Sequence, residues 1–277
     1  MFKFKLNIIF LNIFDMTNFT SKLIFTFLLV FSMSLSSNAQ KKKNYTEKVS
    51  EVTFDMIYVK GGTYKMGDRK GDLALDTGVN PSLPIHEVSI DGFFVGKVEV
   101  TQALWETVMG NNPSEHKMGN NPVEMVSWND CKQFIQKLNT LTGKEYRLLT
   151  EAEWEYVTRG GKKLAQGTSS YENILERAWL LPNAEDTHHA VGTKAPNELG
   201  IYDLQGNVWE WVNDWYSETS YKQSTENNPQ GVQNGDSKVF RGGSYLSDEF
   251  FCRPAYRNYD GVDVRQDFLG LRVARSL

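Results

Sequence analysis

Gly200-Ile201-Tyr202-Asp203-Leu204-Gln205-Gly206-Asn207-Val208-Trp209-Glu210-Trp211 sets two carboxylates, Asp203 and Glu210, seven positions apart on a backbone that Gly206 allows to turn. With the main-chain carbonyls of Gly206 and Val208 between them, they suit a hard cation that takes oxygen ligands from side chains and backbone alike. The block holds no thiolate or imidazole, so calcium suits it better than zinc. Spacing alone leaves a plainer reading open, in which Asp203 caps a turn and Glu210 pairs with an arginine.

Downstream, Arg241-Gly242-Gly243-Ser244-Tyr245-Leu246-Ser247 opens the segment that holds Cys252. Five further blocks stand in order around these two: Phe54 to Gly67, Val98 to Thr101, Pro122 to Asp130, Arg147 to Gly161, and Gly270 to Val273. Together they resemble the formylglycine-generating enzyme (sulfatase-modifying factor) family, over about Met56 to Arg275. The resemblance implies an α+β fold related to C-type lectin-like domains, poor in regular secondary structure, and a single domain. It also implies that Asp203, Gly206, Val208 and Glu210 form a calcium site, and that Trp209 and Ser244 lie near a substrate groove, with Ser247 and Cys252 completing the pocket.

The same resemblance bears on activity. Active members use two cysteines five residues apart to hold Cu(I), and they oxidise a substrate cysteine to formylglycine with molecular oxygen. Here the first of those positions is Ser247 and the second is Cys252. A hydroxyl of very high pKa cannot stand in for a thiolate as a soft ligand, so the sequence argues against copper. Cys252 is left as a one-thiol catalytic candidate, a buried small hydrophobe, or a disulfide partner of Cys131 across about 120 residues. The expectation is a calcium-stabilised binding or accessory module for a peptide or glycan. The rival is a sulfatase-maturing oxidase working through Cys252.

The N-terminus reads as a targeting segment. Lys22 precedes an apolar run from Leu23 to Leu35, and Ser37-Asn38-Ala39 offers a small-residue cleavage site before Gln40. Residues 1–39 are therefore read as a signal peptide, with Met16 an alternative start, residues 40–50 as a flexible leader and 51–277 as the domain. The apolar run is too short to span a bilayer comfortably, so no stable transmembrane anchor is expected and the protein is placed outside the cytoplasm, secreted or periplasmic. No cysteine follows that run to carry a bacterial lipid anchor. The net charge is −4, and losing Lys3, Lys5, Lys22 and Asp15 makes it more negative by two. Such a chain has no basic stripe for nucleic acid.

Three helices have explicit start signals. Thr101 caps one running to Met109 before Gly110, and Ser127 caps a second whose apolar face is Cys131, Phe134, Ile135 and Leu138. Thr150 and Glu153 form the capping box of the third, with Leu149 stapled onto Trp154. Short strands are expected at Val52–Phe54, Met56–Val59, Val239–Phe240 and Leu271–Val273, and Asp91-Gly92 reads as a hairpin turn between His86–Ile90 and Phe93–Val95. Long irregular stretches at 67–84, 161–177 and 217–237 need large side chains or ions to hold them, and the 7 tryptophans and 12 tyrosines supply the former. His188-His189 is expected in an exposed loop, and Arg241, Arg253, Arg257, Arg265 and Arg272 are expected to pair structurally with acids or to recognise an anionic group.

Overall fold

A computed structural model describes residues 43–69, 80–161 and 174–277. The segment read as a signal peptide lies outside them, as do parts of the first two irregular stretches.

The three capped helices form as the local signals dictate. Thr101 accepts from Leu104 N, and Gly110 adopts φ 85° to close α1 (Gln102–Met109). Ser127 and Asp130 build a reciprocal capping box for α2 (Trp128–Thr142), ended by Gly143 at φ 66°. Thr150 and Glu153 do the same for α3 (Glu151–Thr158). A fourth helix, α4 (Ile174–Arg177), is a single turn. The apolar face of α2 lies against α1 through Trp105 and Phe134, which stack at 4.9 Å and 3°.

The strands fall into three sheets. In the first, β1 (Tyr45–Val49), β2 (Val52–Val59), β5 (Phe93–Gly96), β11 (Val273–Ser276) and β6 (Tyr146–Leu148) lie side by side, all antiparallel. The second has the order β10 (Leu269–Leu271), β7 (Trp209–Trp215), β8 (Ser237–Arg241) and β9 (Asn258–Gly261). The third is the pair β3 (Gly62–Met66) and β4 (His86–Ile90).

Two expectations are corrected here. Residues 40–50 are not wholly a leader, because Tyr45–Val49 pairs residue by residue with Val52–Met56. The alternation in Tyr-Thr-Glu-Lys-Val buries Val49 and half-buries Tyr45 and Glu47, and Ser50 at φ 52° turns the chain back. Asp91-Gly92 is not a hairpin turn either. β4 pairs with β3 while β5 pairs with β2, so Asp91-Gly92 lies opposite Lys60-Gly61 as a joint bend in one long two-stranded ribbon. A Cβ on Gly61 would come within 2.4 Å of Ile90 O, so this bend requires glycine. Asn228 satisfies the exposed corner, accepting from Asp91 N at 2.8 Å and donating to Asp91 Oδ2 at 2.9 Å.

The last strands are split at one residue. β10 ends at Leu271 in the second sheet and β11 begins at Val273 in the first, which leaves Arg272 buried at the crossing. One apolar cluster joins α1 and α2 to the inner faces of both sheets, and another joins α3 to β3, β4 and β7. Among the described residues, no helix is long and apolar enough to cross a membrane.

Candidate functional site

The 200–208 loop carries Asp203 into the junction where the two sheets part. Asp203 takes φ 59° and is 2 % exposed, and its Oδ2 accepts from Gly192 N at 2.6 Å. Gly206 is pressed so closely on the Trp179 backbone that a Cβ would lie 2.5 Å from Trp179 O. Asn207 ties the loop on both sides: its Oδ1 accepts from His189 N at 2.9 Å, and its Nδ2 donates to Glu99 Oε1 at 3.1 Å. Glu99, from the turn after β5, thereby joins the loop although no local spacing in the sequence links them.

Glu210 begins β7 and is fully engaged. Arg272 reaches it from Nε at 3.0 and 3.1 Å and from Nη2 at 2.6 Å, and Trp154 Nε1 donates to its Oε2 at 2.9 Å. Arg272 also donates to Gly96 O and Tyr202 O, so one guanidinium fastens both sheets and the loop. This is the arginine pairing that spacing alone left open for Glu210.

Asp203 and Glu99 differ from Glu210 in one respect. Asp203 Oδ1 and Glu99 Oε2 are buried with no hydrogen-bond partner, and the two carboxyls lie within hydrogen-bonding reach of each other. Burial pushes the Glu99 carboxyl well up, and the nearby Asp203 charge adds to this. Asp203 is likewise raised by burial, against the opposing pull of the Gly192 N–H and Arg272. A hard cation fits the free oxygen of Asp203; Glu210 has none to offer while Arg272 and Trp154 hold it. Among the described residues, no three His, Cys, Asp or Glu side chains converge as a metal donor set.

The Ser244–Cys252 segment is packed from behind. Ser247 Oγ accepts from Ser244 N at 3.0 Å and lies 3.3 Å from Ser244 Oγ, and Ser247 O accepts from Leu181 N at 3.0 Å. Ser244 and Ser247 are 1 % and 7 % exposed. Cys252 sits in an apolar nest with Ile174, Ala178 and Leu180, its Sγ so close to the backbone that a Cβ on Gly243 would be 2.2 Å away. Burial, reinforced by Asp248 and Glu249, pushes the Cys252 thiol far up. Cys131 is a second free, buried thiol in a different apolar cluster, so the structure holds two separate thiols. Trp209 is 4 % exposed and meets Phe240 edge-on at 5.3 Å. A ligand reaching Trp209, Ser244 or Ser247 must therefore displace what covers them.

His188 is buried, not exposed as the sequence led us to expect. Its Nε2 lies 3.3 Å from Glu124 Oε1 and its Nδ1 2.9 Å from Asn121 Nδ2, while His189 stacks on Trp179 at 3.7 Å. Among the C-terminal arginines, Arg241 pairs with Glu151 and Glu155, Arg257 with Glu151, Arg265 with Asp130 and Arg272 with Glu210.

That network brings in a group the sequence did not flag. Asp214 Oδ2 accepts from Glu151 N, the first residue of α3, at 2.9 Å. Burial, then the Glu151 charge, push its carboxyl from 3.8 up to about 7. A carboxyl raised in the native state holds its proton there after the unfolded chain has lost it, so stability falls as pH rises from about 4 to about 7. Asp214→Asn keeps an acceptor for Glu151 N and removes the charge. We expect urea unfolding to show the variant level with wild type near pH 4 and more stable at pH 8, by on the order of a few kcal/mol.

Comparison with known proteins places this geometry. The family model described as a sulfatase-modifying factor enzyme 1-like domain matches residues 41–277. The chaperone protein LppX of Paenibacillus barcinonensis is 29% identical over 302 residues, covering 90% of this chain and 98% of that protein. The formylglycine-generating enzyme of Streptomyces coelicolor is 36% identical over 195 residues, covering 65% of this chain and 60% of the enzyme. Among solved structures, Treponema denticola variable protein 1 superposes with a TM-score of 0.75 at 28% identity, over 86% of this chain and all of the other. PvdO from Pseudomonas aeruginosa does so with a TM-score of 0.73 at 25% identity, over the same share of this chain.

Proposed function

Since the chain belongs to the sulfatase-modifying factor enzyme 1-like family, we propose that it is an exported, calcium-stabilised member that binds a partner or assists another protein and lacks the family's two-thiol oxidase activity. Cys252 carries this reading. It stands without a second thiol at Ser247, in an apolar nest that holds it as a neutral thiol. A Cu(I) site needs the reverse, an accessible thiolate pair. A Cu(I) competition titration tests it. Wild type should not compete with a moderate chelator, and Ser247→Cys should gain at least about tenfold in affinity by adding the second soft ligand. Tight copper binding by wild type, lost in Cys252→Ala, would overturn the reading.

A peptide is the ligand that the surface around this segment suits. Leu175 and Leu181 on one side, and Leu246 and Phe251 on the other, are 38 %, 49 %, 42 % and 36 % exposed, and the Leu181 N–Ser247 O bond joins the two segments. Exposed Glu176, Asp248 and Glu249 lie on these segments beside exposed Arg177 and half-buried Lys194, whose Nζ donates to Leu175 O at 2.8 Å. Apolar groups inside such a mixed charged rim favour an apolar peptide over a glycan. The LppX relative, matched over nearly its whole length, carries a chaperone's name, and this supports an accessory role.

Calcium would be held at Asp203, with the carbonyls of Gly206 and Val208 available from the same loop, and its chemistry would be structural, neutralising buried charge. Export rests on the N-terminal pattern. The intact mass of the released product should correspond to a start at Gln40; a product that keeps Leu23 to Leu35 would instead be membrane-anchored.

A further inference from the structure

A cavity of about 230 Å³ lies beside the N-terminus of α3, and none of its lining comes from the 174–181 or 244–252 segments. Among the described residues that line it, the charged ones are Glu151 and Asp214. Arg241 and Arg257 neutralise Glu151. Asp214 is 3 % exposed; its Oδ2 accepts from Glu151 N, and its Oδ1 has no hydrogen bond among the described residues. Gly231, at φ 70°, passes over this oxygen so closely that a Cβ there would lie 2.9 Å from it. Asparagine would cap α3 through the same bond without a buried charge, so a purely structural part does not account for the acid. A buried carboxylate with an unused oxygen in a cavity wall needs a donor from outside the chain.

The rest of the lining selects the donor. Gln223 Nε2 donates to Thr219 Oγ1 and Gln230 Nε2 donates to Asn228 O, each at 3.2 Å, which leaves both amide oxygens as acceptors. One carboxylate oxygen and two amide oxygens match the three N–H donors of an ammonium. A guanidinium fork would need both carboxylate oxygens, and Oδ2 is already held by Glu151 N. Met66 and Ala152 supply apolar wall for a methylene stem. The cavity is smaller than the roughly 300–1,000 Å³ that encloses a whole drug-sized ligand, so it admits the end of one chain. We propose that this cavity binds a primary ammonium group on an alkyl stem, a lysine side chain or a free alkylamine, with Asp214 as its counter-charge.

The charged groups that act on Asp214 are Glu151 and Glu153 of α3, Arg257 ahead of β9 and Lys238 of β8, the last itself pushed down to about 8 by burial. With its carboxyl at about 7, Asp214 is mostly neutral at pH 6 and mostly ionised at pH 8. An alkylammonium stays charged throughout, so its affinity should rise about tenfold between the two. The test is a chemical-shift titration of the full chain with n-butylammonium chloride, read at the Glu151 and Gly231 amides. Wild type should bind at pH 8 and more weakly at pH 6. Asp214→Asn, expected to be at least as stable as wild type, should lose at least about tenfold in affinity at pH 8. Tetramethylammonium, with no N–H to donate, should leave the amides unmoved. N-acetyl-lysine methylamide separates the sources: binding as tight as that of butylammonium assigns a lysine of another chain, and its exclusion assigns a free amine. Absence of binding at pH 8, equal binding by Asp214→Asn or of tetramethylammonium, or an affinity flat from pH 6 to pH 8 would overturn the proposal.

Discussion

Arg272→Met should destabilise the protein by about 3–5 kcal/mol, the cost of breaking a buried ion pair from one side. Methionine fills much of the volume of arginine's stem, so the loss falls on charge and hydrogen bonding rather than on packing. The variant strands Glu210 beside Glu99 and Asp203, three carboxyls in one buried cluster with no cation left among the side chains there. It also leaves Gly96 O and Tyr202 O without the guanidinium that ties the first sheet to the loop. Arg241→Met provides the contrast. Glu151 would keep Arg257 and Glu155 would keep Arg159, so each acid retains a partner and the cost should be smaller. Urea midpoints of the two variants at one pH check the order. Equal losses would mean that the Arg272 cluster is already neutral by some other route.

The helices were legible because their instructions are local. Thr101, Ser127 and the Thr150–Glu153 pair each cap the helix that follows, and glycine closes the first two. The ribbon bend at Lys60-Gly61 and Asp91-Gly92 was not legible, because a two-residue link between apolar runs looks the same whether the strands fold back or bend together. What decides between them is Phe93–Gly96 pairing with β2 and β11, a contact from far along the chain. β1 was hidden for a different reason: its glutamate and lysine, following Lys41-Lys42-Lys43, read as a solvated leader, although every second residue turns inward.

The site divides along the same line. Asp203, Gly206, Val208 and Glu210 share one short block and could be read together. Glu99 and Arg272 belong to segments that only the fold brings to that block. Arg272 carried one faint signal, a charged residue interrupting the apolar run Leu269-Gly270-Leu271 and Val273-Ala274, where a buried strand has no reason to place it. Cys252 carried none, because its nest is built from Ile174, Ala178 and Leu180.

Absence of oxidase chemistry is the all-or-none expectation of this account. Conversion of a substrate cysteine needs a thiolate that binds Cu(I) and meets the substrate, and Cys252 is enclosed, neutral and alone. The 36% identity to the Streptomyces enzyme keeps the rival concrete, for a relocated partner or a single thiol would suffice if the segment opened. The direct measurement is aerobic incubation of the protein with copper and a Cys-x-Pro-x-Arg peptide, followed by mass spectrometry of the peptide. The account predicts an unchanged peptide mass with wild type and with Cys252→Ala alike. A mass loss marking the aldehyde, present with wild type and abolished in Cys252→Ala, would contradict it and establish the oxidase.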